Sequence, residues 1–209
     1  MENIFFLDRI SLISKKKSLN NISLKIGRGN FLIIKGSNAT GKSLLLKLFY
    51  LKVLPSSGNL YFKGRKISNN SKKEINEFRK KMGIILQNDY LIPFFSVFQN
   101  IELASQIQNS KKDFINRMSE ISGWLELNDI RDEKVTNLSN SQRQKVVIAR
   151  ALINNPSIII ADQPETYLDY ESKKKIFFLF ESLSKIGTTI IMASNNVPEI
   201  NINYKLFEL

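Results

Sequence analysis

Two residue types are missing altogether: the 209-residue chain has no cysteine and no histidine. Without cysteine there is no disulfide framework, no thiolate metal site and no cysteine nucleophile. Without histidine the commonest general base and metal ligand is gone. Long apolar runs are lacking too. The longest candidate, Leu44 to Leu54, is interrupted by Lys47 and Lys52, well short of the ~18 residues that would span a bilayer. The start, Met1-Glu2-Asn3, has neither the basic flank nor the apolar stretch of a secretory signal. These absences fit a cytosolic protein. Acidic residues are outnumbered, 19 against 31 Lys and Arg, for a net charge of +12. Such a balance attracts nucleotides, nucleic acid or an anionic membrane face. The cations are dispersed in short clusters at Lys15 to Lys17, Lys72-Lys73, Lys80-Lys81, Lys111-Lys112 and Lys173 to Lys175. No patch is interleaved with aromatics, so a solvated lysine-rich surface is favoured over a nucleic-acid groove.

Glycine is also scarce, at 9 residues, which makes one run stand out. Gly36-Ser37-Asn38-Ala39-Thr40-Gly41-Lys42-Ser43 fits the phosphate-binding pattern G-x-x-x-x-G-K-[ST]. The apolar run Phe31 to Ile34 precedes it and a helical pattern, Leu44 to Leu51, follows. In that strand–loop–helix setting, successive backbone N–H groups point at a bound phosphate. Lys42 is expected to neutralise the β- and γ-phosphates, and the Ser43 hydroxyl to ligate Mg²⁺.

The rest of the chain alternates between strand and helix. Ile4 to Leu7, Ile22 to Ile26, Leu60 to Phe62, Met82 to Leu86, Ser157 to Ala161, Thr188 to Ala193 and Tyr204 to Phe207 read as strands. Lys72 to Lys80, Ser139 to Ile153 and Glu171 to Lys185 read as helices. Between Tyr90 and about Asn137 strand patterns disappear, and helical spacing dominates at Val97 to Ile107 and Phe114 to Leu125. The expectation is a single α/β domain over 1–209 with a mostly parallel sheet and an inserted helical subdomain at about 90–137. One strand, Ile158-Ile159-Ile160-Ala161-Asp162, ends in a carboxylate more than a hundred residues after the glycine loop. That is the Walker B form, which delivers an acidic group to Mg²⁺ beside the phosphates.

At this point the chain resembles the ATP-binding subunits of ABC transporters over nearly its whole length. Met82 to Gln87 is similar to the family's Q-loop strand, with Gln87 as its glutamine. Leu138-Ser139-Asn140-Ser141-Gln142, followed by Val146 to Leu152, is similar to the signature segment and its helix. Leu168-Asp169 is similar to the D-loop. The size and the run Phe78-Arg79-Lys80-Lys81-Met82-Gly83 look most like the cell-division type, FtsE, with LolD and MacB types as close relatives. The resemblance implies a P-loop NTPase (RecA-like) core with an N-terminal antiparallel β part, and ATP and Mg²⁺ as cofactors. Gln87 and Asp162 would join Ser43 at the metal, and Ser139 would face nucleotide. It further implies a homodimer that forms on ATP binding, a docked integral membrane permease (FtsX-like), and a peripheral place on the cytoplasmic side of the membrane.

The departures from that family are specific. Where a general-base glutamate is normal stands Gln163, and where a switch histidine is normal stands Asn195. Asn140 and Ser141 replace the two signature glycines. An amide orients water but does not usefully accept its proton. Ser139-x-x-Gln142 also forms a capping box, so Ser139 has a structural reading equal in weight to a nucleotide-binding one. Glu165, two residues past Gln163, is expected to be an ordinary surface carboxylate rather than a substitute base. No aromatic stands at Ser11 to Lys17, where the family stacks adenine, and Phe5 and Phe6 are expected in the core. Leu91, Ile92, Phe94 and Phe95 read equally as a docking patch or as packing for the helical subdomain. The combination implies nucleotide binding with slow or absent hydrolysis.

Overall fold

The computed structural model describes residues 3–14, 17–68, 72–105 and 111–209. Lys15 and Lys16, and the last two residues of the expected helix Val97 to Ile107, lie outside them.

Two sheets form. β1 (Asn3–Ile13), β2 (Ser18–Gly27), β4 (Ser57–Phe62) and β5 (Arg65–Ile67) make an antiparallel sheet in the order β2-β1-β4-β5. β3 (Phe31–Lys35), β6 (Met82–Ile85), β7 (Ile158–Asp162), β8 (Thr189–Ser194) and β9 (Tyr204–Glu208) make a parallel sheet in the order β6-β7-β8-β3-β9. The helices are α1 (Lys42–Phe49), α2 (Lys72–Arg79), α3 (Val97–Ser105), α4 (Lys111–Trp124), α5 (Asn140–Leu152) and α6 (Tyr170–Lys185). Fold class is thus as expected: an α/β P-loop core with an antiparallel β part.

The apolar strands are explained by burial on both faces. Along β3, Phe31 and Ile33 pack toward α5 and α6, while Leu32 and Ile34 pack toward α1 and the antiparallel sheet. β7 divides in the same way, with Ile159 and Ala161 on the first face and Ile158 and Ile160 on the second. The period-two alternation of side chains therefore feeds two cores at once.

From Val97 to Asn137 the described residues form α3, α4 and two short 3₁₀ turns at Asn128–Ile130 and Val135–Asn137. An isolated bridge between Ser96 and Lys134 joins the points where this helical segment leaves and returns. Buried Asn100 fixes the loop before α3: its Oδ1 accepts from Ile92 N at 2.7 Å, and its Nδ2 donates to Ser96 O at 3.0 Å. The four apolar residues that read equally as docking patch or packing are divided. Leu91 is buried in the core, Ile92 and Phe95 are half-buried, and Phe94 alone stands well exposed, edge-on to Phe95. Phe5 is buried as expected. Phe6 is not in the core but stacks on Tyr61 on the outer face of the antiparallel sheet, with Lys25 over its ring.

Candidate nucleotide site

Parallel register is what assembles the site. Ile34 pairs with Ala193, and Ala193 with Asp162, so three neighbouring strands end at the same level. Everything just past those ends converges there: the loop 36–43, Gln163, and the Ser194-Asn195 turn. The carboxyl edge of a parallel sheet is where α/β folds bind ligands. A cavity of about 710 Å³ opens at this edge. Another of about 750 Å³ lies between Trp124, Phe178 and Glu199, away from this convergence of polar groups.

Two glycines are dictated by space and backbone. Gly41 holds φ 113° as the cap of α1, and a Cβ there would come within 2.9 Å of Leu19 Cδ2. At Gly36 a Cβ would meet Thr40 Oγ1 at 2.6 Å and Leu209 O at 2.7 Å. Both positions therefore exclude side chains. Inside the loop, Thr40 donates from Oγ1 to Ser37 O at 3.1 Å. Lys42 is buried and its Nζ donates to Gly36 O (2.7 Å), Ser37 O (2.8 Å) and Asn195 Oδ1 (2.9 Å). Burial pushes the Lys42 ammonium below its usual range, and attraction from Asp162 and Glu165 opposes that shift.

Asn195 is a hub. Its Oδ1 accepts from Lys42 and, at 3.4 Å, from Gln163 Nε2, while its Nδ2 donates to Asn38 Oδ1 at 3.1 Å. Gln163 adopts a left-handed φ of 51°, held by its N–H on Ala193 O at 2.9 Å. A non-glycine residue in that region costs on the order of 1 kcal/mol.

Asp162 is buried beneath Ser43, whose hydroxyl donates to it. Its Oδ1 is enclosed and has no hydrogen-bond partner. Burial pushes its carboxyl above the ordinary value, against the Ser43 hydrogen bond and the nearby Lys42 and Lys47 charges. An unpartnered buried carboxylate oxygen beside a hydroxyl, with Gln87 on the same cavity wall, is a hard oxygen donor set that fits Mg²⁺. When bound, the ion would neutralise phosphate charge at this edge. Asp162→Asn keeps the shape and an acceptor for Ser43. Its expected effect is loss of the Mg²⁺ enhancement of ATP affinity, with thermal stability little changed; nucleotide titration with and without Mg²⁺ checks it. The sign with pH follows from the raised carboxyl. A metal would need the ionised form, so the expected Mg²⁺ enhancement in the unchanged chain should fade on acidification at a higher pH than an ordinary Asp would impose.

Among the expected site residues, Asn38, Ala39, Gly41, Lys42, Ser43, Gln87, Gln163 and Asn195 line the cavity. Gly36, Ser37 and Thr40 form the loop behind it, and Asp162 lies below. Ser139 is elsewhere on the chain, exposed at the start of α5, where its Oγ accepts from Gln142 N and Gln142 Oε1 accepts from Ser139 N. The capping box is real. Lys17, Lys47, Ser14 and Leu44 also line the cavity. Lys47 was legible, lying four residues after Ser43 on one helical face. Lys17 reaches the site through the β1–β2 hairpin, which no local pattern announces. No aromatic side chain lines the cavity among the described residues.

Helix α5 ties the site together. Arg143 pairs with Asp89 (Nε to Oδ2, 2.7 Å), and Arg150 donates to Asp89 O and Tyr90 O. Gln144 Nε2 donates to Pro164 O at 2.9 Å in a buried bond. One helix thus holds both the loop after Gln87 and the turn after Asp162. The surface role expected for Glu165 is wrong: its Oε1 accepts from buried Ser194 Oγ at 2.5 Å, and its Oε2 is enclosed without a partner. The cause is tertiary, since Pro164 turns the chain back under the end of β8.

The fold and the loop-plus-carboxylate site define a P-loop nucleotide-binding protein. The sequence pattern of the family described as "ABC transporter" matches residues 19–166. The chain belongs to the ABC transporter family, as an ATP-binding subunit. An uncharacterised ABC transporter ATP-binding protein of Methanocaldococcus jannaschii, MJ1508, is 37% identical over 94% of this chain and 88% of its own length. The cell-division ATP-binding protein FtsE of Bacillus subtilis is 31% identical, covering 88% of this chain and 82% of its own. The lipoprotein-releasing ATP-binding protein LolD of Buchnera aphidicola is 36% identical, covering 87% and 80%. Among solved structures, the dimeric post-hydrolysis state of the cassette MJ0796 with ADP and Pi superposes at a TM-score of 0.83. It is 29% identical, over 92% of this chain and 88% of that one. Members of this family bind ATP, generally with Mg²⁺, and work with membrane permeases. Among the described residues no helix is long and apolar enough to cross a membrane. FtsE and LolD stand at similar identity, so the resemblance to the FtsE type in particular is not singled out.

Proposed function

We propose that this chain binds Mg-ATP in the cavity at residues 36–43, docks a membrane permease, and acts mainly through its nucleotide-bound state. The observation that carries the reading is the neutral amide pair Gln163–Asn195 against Lys42, set beside an otherwise complete phosphate and Mg²⁺ site. Lys42, the loop N–H groups and the α1 N-terminus hold the phosphates. Ser43, Gln87 and Asp162 hold the metal. Gln163 and Asn195 orient water and the third phosphate by hydrogen bonds, with neither a strong base nor a cationic donor. General-base catalysis is worth about 10²–10⁴ in rate. Two copies would close head to tail, each presenting Ser139 of the α5 cap to the other's nucleotide. Asn140 and Ser141 carry side chains there in place of glycine, which slows that closure. The complex sits peripherally on the cytoplasmic face of the membrane, with the segment around Phe94 and the helical subdomain at about 90–137 turned to the permease. Phe78 to Gly83 and the small size support an FtsE-type role with an FtsX-like permease. The similar identity to LolD supports a LolD- or MacB-type exporter, and a small four-helix membrane protein encoded next to this chain would favour the first.

The test is paired. Calorimetric titration should show Mg-ATP binding, while phosphate release with the permease present should stay at about 0.1 s⁻¹ or below, against a median enzyme near 10 s⁻¹. Turnover of about 1 s⁻¹ or faster would establish an active ATPase instead.

A further inference from the structure

Glu165 lies outside the expected phosphate and metal contacts, yet it is held in one place. It is a carboxylate placed under the end of β8, with one oxygen on Ser194 Oγ at 2.5 Å and the other enclosed without a partner. Ser194 is itself buried, and its Oγ in turn accepts from Asn196 N at 3.3 Å. The chain of bonds therefore runs from Glu165 through Ser194 to the backbone on the far side of Asn195. Asn195 sits between these two anchors and projects its amide onto Lys42 and Asn38. The segment carrying Glu165 is fixed at two further points, Gln163 N on Ala193 O and Pro164 O under Gln144. Burying a carboxylate against one hydroxyl costs stability, a cost that a surface position would have avoided.

We propose that Glu165 is a positioning residue that sets Asn195 against the third phosphate, acting through Ser194. The proposal rests on the nucleotide-binding reading above. Glu165 is not a ligand to phosphate or metal; it holds the 194–196 turn in one geometry. Burial pushes its carboxyl up, and the Ser194 hydrogen bond opposes that shift. Asn195 would face the third phosphate among the three, so its placement should weigh on ATP more than on ADP, although its bonds to Lys42 and Asn38 also touch the loop that holds both. A merely structural role would weaken both alike.

The experiment measures Mg-ATP and Mg-ADP affinities by calorimetry for the unchanged chain, Glu165→Ala, Ser194→Ala, the double variant and Glu165→Gln, with thermal unfolding as the control for folding. Glu165→Ala should lower ATP affinity about tenfold, the weight of one hydrogen bond to a charged group, with ADP affinity lowered less. Ser194→Ala should do the same, and the double variant should lose no more than either single one, since both break one relay. Glu165→Gln, which keeps the acceptor for Ser194, should rescue the ATP preference. Equal losses for ATP and ADP, full additivity, or an unaltered preference in Glu165→Ala would each overturn the proposal. So would phosphate release abolished by Glu165→Gln with ATP preference intact, which would make Glu165 a proton acceptor. Should Glu165→Ala fail to fold, Ser194→Ala and Glu165→Gln carry the same test. An unchanged chain that binds neither nucleotide takes down the nucleotide-binding reading itself; one that binds both while Glu165→Ala keeps its ATP preference sinks this inference alone.

Discussion

Lys42→Ala is expected to weaken Mg-ATP binding by about a hundredfold or more. Lys42 is the cation held inside the loop, with its Nζ on Gly36 O, Ser37 O and Asn195 Oδ1. Those three acceptors mark where an ammonium sits before nucleotide arrives, so little reorganisation is needed when phosphate oxygens take their place. A hydrogen bond to a charged group contributes about 1.5–3 kcal/mol, and the ammonium offers three donors. Losing two such bonds to phosphate already accounts for about 3 kcal/mol, or a hundredfold. The fold should survive, since removing a buried cation relieves its desolvation while depriving Asp162 and Glu165 of an attractive charge. Titration calorimetry with Mg-ATP is the measurement, and an affinity equal to that of the unchanged chain would remove Lys42 from the site.

The second large effect concerns rate. Gln163→Glu is expected to raise phosphate release by about 10²–10⁴-fold, the ordinary worth of a general base. Backbone geometry favours the gain. Residue 163 is already locked at φ 51° with its N–H on Ala193 O, so the new carboxylate inherits an aim into the cavity. It would stand near buried Asp162 and half-buried Glu165, both pushed up by loss of solvent. A further negative neighbour raises its own carboxyl as well, toward the range where a base works at neutral pH. The substitution also removes the Gln163 donation to Asn195 Oδ1 and adds charge repulsion, at a cost of about 1–2 kcal/mol in the nucleotide-free chain. Phosphate release measured beside ATP binding separates the outcomes. A variant that binds ATP yet hydrolyses no faster would show that Asn195, or Asn140 and Ser141 in the facing copy, limits the reaction.

Those two substitutions could be chosen from the amino-acid sequence, and much else was legible there for the same reason: local patterns leave local traces. The glycine loop announces itself because Gly36 has no room for a Cβ and Gly41 takes a left-handed φ. Fully apolar runs such as Ile158 to Ala161 announce a sheet covered on both faces. Ser139-x-x-Gln142 announces a helix start, and the capping box is there. Short β5, Arg65–Ile67, went unseen because two of its three side chains are exposed.

What escaped was decided between distant segments. Glu165 carries no local mark distinguishing a surface carboxylate from one packed beneath Ser194, 29 residues on. Leu91 read equally as docking surface or as packing, and only the hold of Asn100 on Ile92, with Leu91 buried, decides for packing. Neither the placement of Lys17 at the cavity nor the grip of α5 on two separate loops has any signature in spacing. The sequence by itself determined the helices, the phosphate loop and every strand but the short β5, because steric and hydrogen-bonding demands within a few residues select them. Only the tertiary structure decided that Glu165 packs beneath Ser194 and which amide reaches Lys42. Those outcomes depend on the shared level at which parallel strands end, a long-range packing result.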